Sequence, residues 1–297
     1  MTILIGGGVW IGAALLLSAP IAAKILLGAP LLLVPLLLAD VPDRPAAGPI
    51  STRRMPGLPA VAAALPLVAA YMLPPGPAAA FLTLLWLLLT ALCLAAGVRH
   101  GMPRLPGILH PRHAAELGVD GAFAALAVGA AFLTIDRLGA RPLDLSTEIV
   151  LLTAVHFHFT GFVLLSLASL AAAGAGGRPA RAAVLALVVG IAVTATGFNL
   201  HSDLINAVGA VIVAGGAVLM GVVLLRAVAT GRTLRGASLA LSGLGLLVGP
   251  PMGALWAISI VAGWAFLDLE TMVRTHGALN AAALVVATLA WPQDERS

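Results

Sequence analysis

Leu204 to Leu225, LINAVGAVIVAGGAVLMGVVLL, runs without a charged side chain and carries a single amide, Asn206. Made helical at 1.5 Å per residue, such a run spans about 30 Å, the thickness of a bilayer's hydrocarbon core. Apolar blocks of the same kind lie near residues 3–22, 25–40, 57–73, 77–98, 118–136, 147–174, 181–200, 204–228, 235–249, 252–268 and 270–292. The pattern predicts an all-α polytopic bundle of about ten spans, ten or eleven by this reading, forming one integral membrane domain over 1–297. Two blocks read weakest: 25–40, short and rich in Pro and Leu, and 235–249, which ends at Gly249-Pro250-Pro251. Either reads as a half-helix or a re-entrant segment. The first block lacks a basic flank and is read as a retained helix, not a signal peptide.

Composition agrees. Of 297 residues, 61% are hydrophobic and 9% charged, and mean hydropathy is +1.08. A soluble domain carries about a quarter charged residues, so this chain cannot cover a globular surface with solvated side chains. A soluble nucleic-acid binder, a disulfide scaffold and a disordered chain are excluded. The net charge of +4 comes from arginines in the loops between blocks. Arg44, Arg53 and Arg54 follow the second block, Arg99, Arg104 and Arg112 the fourth, Arg178 and Arg181 the sixth, and Arg226, Arg232 and Arg235 the eighth. Basic loops stay in the cytoplasm, which puts the N-terminus there and, with eleven spans, the C-terminus outside. Cys93 is the only cysteine and Tyr71 the only tyrosine. Neither a thiolate metal site nor an aromatic cage is expected.

Ionisable groups at membrane depth are costly and usually face a bundle interior, so four polar clusters stand out. The first is His156-Phe157-His158-Phe159-Thr160-Gly161-Phe162. With a helix beginning near Ser146, His156 lies about 15 Å deep. On a regular helix His156 shares a face with Thr153 and Thr160 while His158 points 200° away, which assigns chemistry to His156 and packing to His158. The second runs from Asp268 to Asn280: Glu270 pairs with Arg274, His276 and Asn280 form a second polar edge, and Gly277 is read as permitting close backbone approach. The Asp268, Glu270 and Arg274 group also reads as a terminus in the cytoplasmic headgroup layer. The third, Thr196 to Asp203, places Thr196, Asn199 and Asp203 on one face, or forms a turn capped by Ser202 or Asp203. The fourth, His113, Glu116 and Asp120, sits at metal-ligand spacing, yet acids also gather at a helix start without a metal.

With the first motif and Thr275-His276-Gly277-Ala278-Leu279-Asn280-Ala281 in view, the chain resembles the YndJ-like family of bacterial polytopic membrane proteins, over most of its length. That resemblance implies about ten spans and assigns no mechanism. Fifteen arginines to one lysine, with abundant Ala, Gly and Pro, suggest a high-GC bacterium and its inner membrane. The leading functional expectation is an enzyme opening, cyclising or isomerising a lipophilic small molecule. His156 and His276 would exchange protons, in one cavity and within about 10 Å of each other. Asn280, Glu270, Arg274, Asn199 and Thr160 would assist, with no cofactor, metal or nucleic-acid partner. A proton-coupled transporter is the first alternative, with His156, Glu270 and Asp268 relaying protons past a break at Gly249-Pro250-Pro251. An accessory membrane subunit, whose polar side chains only bind one another, is the second.

Overall fold

The computed structural model describes residues 1–40, 57–102, 113–174, 176–228, 234–264 and 266–291. Arg44, Arg53, Arg54, Arg104, Arg112, Arg232 and His110 therefore lie outside the described residues. Among the described residues the chain is helical and without strands: α1 (Thr2–Leu16), α2 (Ile21–Asp40), α3 (Gly57–Met72), α4 (Pro77–Phe81), α5 (Leu84–Gly101), α6 (Ala114–Leu138), α7 (Thr147–Ala173), α8 (Gly177–Asn199), α9 (Asp203–Val228), α10 (Leu234–Ala262) and α11 (Leu269–Ala290). Eight of these are long and apolar enough to cross a membrane, and α1 and α3 are shorter apolar helices. The outward surfaces carry Leu4, Leu16, Leu88, Leu204 and Leu241, each more than half exposed. Apolar surface on that scale is tolerable in lipid and not in water.

Two of the sequence expectations change. Blocks 235–249 and 252–268 are one helix, α10, running through Pro250 and Pro251. Block 25–40 is part of the continuous helix α2, not a half-helix.

The helices form two compact units. One holds α1 to α5, α6 from Val119 and α7 to Val163. Its centre is α2, where Leu26, Leu27, Leu31, Leu33 and Leu37 are fully buried. Pro30 and Pro35 bring no N–H to the helix ladder, and residues Ala29–Leu33 widen into a π turn. The Leu31 carbonyl, whose ordinary donor would be residue 35, lies against Gly6 of α1, where no side chain would fit.

The other unit holds α6 up to Gly118, α7 from Leu164, and α8 to α11. Its helices pack antiparallel in chain order along seams of small residues, which let backbones approach where lipid offers no hydrophobic drive. Gly190 faces Val213 and Gly197 faces Asn206 between α8 and α9. Gly221 and Gly243 face each other between α9 and α10, and Gly245 faces Ala283 between α10 and α11. Because α10 does not break, the turn after Asn199 and the connection from Gly263 to Asp268 fall at the same end of this unit.

Candidate functional site

The densest polar arrangement in the second unit is built where α11 crosses the proline pair of α10. Pro250 and Pro251 leave the Leu246 and Leu247 carbonyls without their helical donors. Two glycines flank the pair, and each admits a polar side chain from α11. The Asn280 Oδ1 lies against Gly249, and a methyl placed on Gly253 would meet the His276 ring 2.6 Å away. A methyl on Gly277 would meet only the Met272 carbonyl, 3.9 Å away, so the glycines that matter are on the partner helix and not in the motif itself.

His276 Nδ1 lies 2.8 Å from the Gly249 carbonyl and donates to it. That bond assigns the Nδ1–H tautomer and leaves Nε2 as the basic atom. The Asn280 amide nitrogen sits 3.2 Å from Nδ1 and 3.3 Å from Nε2; with Nδ1 protonated, Nε2 is its acceptor. Among the described residues Asn280 Oδ1 is buried without a hydrogen-bond partner, as are Ser166 Oγ and Asn206 Oδ1; such an oxygen costs about 1–3 kcal/mol in an ordinary core. His276 itself lies in a π segment, Val273–Gly277. Such segments recur at functional positions because they re-aim side chains.

One turn earlier the polarity is peripheral. Asp268 caps α11, accepting from the Thr271 N–H and hydroxyl, both at 2.8 Å. Those two bonds hold its carboxyl below the usual carboxylate range. Glu270 and Arg274 pair at 2.8 Å as expected, with both side chains exposed. Asn199 is exposed and donates to the Ala195 carbonyl of its own helix. Thr196, Asn199 and Asp203 do not share a helical face, because α8 ends at Asn199 and Ser202 caps α9 through the Ile205 N–H. That turn brings Asn206 back against Gly197.

The first unit holds the other histidine motif, also in a π segment, Phe157–Leu164. His158 is fully buried. Its Nδ1–H donates to the Ala154 carbonyl at 2.8 Å, and its Nε2 accepts from the Trp86 indole at 3.2 Å. The two rings stack 6.1 Å apart, and Gly129 leaves the room they need. With both nitrogens used and no part of the ring exposed, His158 is a packing element, whereas His276 is only half-buried. His156 is exposed, with Nδ1 at 2.7 Å from the Leu152 carbonyl of its own helix, and Thr160 is half-buried within the π segment. His156 and Thr160 belong to the first unit, and His276, Asn280, Glu270, Arg274 and Asn199 to the second.

The His113, Glu116, Asp120 face divides: Glu116 approaches His113 at 3.5 Å and Asp120 approaches His100 at 3.4 Å. No group of three His, Cys, Asp or Glu side chains placed to hold a metal occurs among the described residues. One cluster escaped the sequence reading. Asp136 and Arg137 lie in the last turn of α6, and Arg137 is 7% exposed. Its guanidinium sits 4.3 Å over the ring of Tyr71. An Asp-Arg pair still inside the apolar period of a helix was the available signal.

Fold and exposed apolar surface together define a polytopic α-helical membrane protein. The chain belongs to the YndJ-like protein family, whose model matches residues 24–284. No curated protein and no solved structure matches it.

Proposed function

We propose that this protein sits in the inner membrane of a bacterium with its N-terminus in the cytoplasm. There it performs acid/base chemistry on a lipophilic small molecule, an opening, cyclisation or isomerisation, with His276 as the proton-transfer group. The observation that carries this is the His276 ring fixed through Nδ1 to the Gly249 carbonyl, beside an Asn280 oxygen left unpaired. A second protein group that sets the tautomer is what a general base requires, since it fixes which nitrogen accepts the proton. Lipophilicity of the substrate is supported by a groove of about 350 Å³ between α9 and α10, lined by Leu204, Val208, Val211, Ile258 and Val261 among other apolar residues. The groove's lining includes neither His276 nor Asn280; Ile258 lies about 7.5 Å of helix rise beyond Gly253 on α10.

Transport needs polar groups leading to both faces. In the second unit Asn199 to Asp203 and Asp268 to Arg274 lie at one end and Arg178, Arg226 and Arg235 at the other, so the transporter reading is separated from chemistry by the test below. The reading is tested by comparing organic extracts of membranes from cells that express the wild type, His276→Ala or an empty vector. A lipophilic compound consumed or formed in wild-type membranes alone is the expected result. Extracts from His276→Ala that match the wild type overturn it.

A further inference from the structure

The Tyr71, Asp136 and Arg137 cluster carries an inference independent of the histidines. Arg137 is 7% exposed, yet its bonds account for only part of its donors. Nε donates to Asp136 Oδ2 at 3.1 Å and Nη1 to the Ala70 carbonyl at 3.2 Å. Tyr71 stacks on the guanidinium face and donates its hydroxyl to the same Asp136 oxygen at 3.1 Å. Nη2 and the second Nη1 proton have no acceptor among the described residues. A guanidinium presents five donors in a plane; no Arg137 nitrogen is among the buried unpartnered atoms, so this open edge is accessible and an oxyanion can reach it. The backbone fixes the place: Gly76 N–H donates to the Arg137 carbonyl at 2.8 Å, tying the turn after α3 to the end of α6.

We propose that the open edge of Arg137 binds a singly charged phosphate oxyanion, supplied by the phosphodiester of a membrane lipid or by free phosphate. Asp136 already neutralises the guanidinium, so the cluster suits a monoanion better than a dianion. The cluster lies at the ends of two apolar helices, Met72 of α3 and Leu138 of α6. Lipid phosphates are concentrated at that depth, which makes the diester the favoured source.

The test uses the purified full chain in detergent, stripped of lipid, with three probes: dioleoylphosphatidylglycerol, dioleoylglycerol and inorganic phosphate. Binding is read by native mass spectrometry and by the shift in thermal midpoint. The double variant Asp136→Asn/Arg137→Gln removes both charges together and so strands neither. Phosphatidylglycerol is expected to bind the wild type and dioleoylglycerol not, with the double variant about tenfold weaker, the worth of one charge-assisted hydrogen bond. Competition by millimolar phosphate at the same site assigns the free ion as source, and its failure assigns the lipid. Equal binding of the two lipids by the wild type overturns the site, and that comparison stands even where the double variant does not fold. So does wild-type affinity in a folded double variant.

Discussion

At the scale of single residues, direction decides role. His156 and His158 are two residues apart in one apolar block, and an ordinary helical wheel already separates them. The wheel correctly gave His158 a packing role. It could not show that the partner is the Trp86 indole, since nothing in one sequence relates the phase of α5 to that of α7. Nor could it show His156 exposed against its own helix. Removing the indole donor leaves a buried imidazole nitrogen unpaired, so Trp86→Phe is expected to cost about 1–3 kcal/mol. His156→Ala, at an exposed position, should stay within about 0.5 kcal/mol. Denaturant titration of both variants in the same detergent checks the contrast, and equal losses would contradict it.

Among elements, helix existence was legible and continuity was not. A run of uncharged residues as long as 204–225 has one solution in lipid, because every backbone group must be bonded internally. Gly249-Pro250-Pro251 read as a break because proline removes helix donors. The structure instead carries α10 through and packs α11 against the glycines beside it, a tertiary effect absent from local pattern. The capped start of α11 gives a pH test. Asp268's carboxyl is held below its ordinary range by the Thr271 N–H and hydroxyl, so the charged form is the one that caps. A group depressed in the folded state contributes fully above its unfolded value, near about 3.9. That contribution is lost as pH falls through the lower folded value. Backbone amides of the first turn of α11 should therefore exchange faster in Asp268→Ala than in the wild type at pH 7. The gap should close only well into the acid range; a gap that vanishes by pH 5 contradicts the assignment.

For the whole molecule, the continuity of α10 alters topology. With α4 and α5 counted as one crossing and the shorter α1 and α3 each taken to cross, α1 to α11 would give ten crossings, and a cytoplasmic N-terminus would then put the connection from Gly263 to Asp268 outside. An eleven-span chain would put that cluster at the cytoplasmic face. In a Cys93→Ala background, a cysteine at Asp268 should react with an impermeant maleimide added to intact spheroplasts, and one at Arg178 only after lysis. The reverse pattern inverts the protein. Most of the candidate site was legible as residue types, since His276 and Asn280 announce themselves in an apolar block. Their acceptor and their glycine cradle were not, because Gly249 and Gly253 lie on another helix and carry no side chain to attract notice. The most direct measurement of the central claim is the turnover, by purified protein, of the compound that membrane extracts identify. His276→Ala should slow it by roughly 10² to 10⁴, the worth of one proton-transfer group, with His156→Ala within about twofold of the wild type. Full turnover in folded His276→Ala, or abolition by His156→Ala alone, would contradict the account.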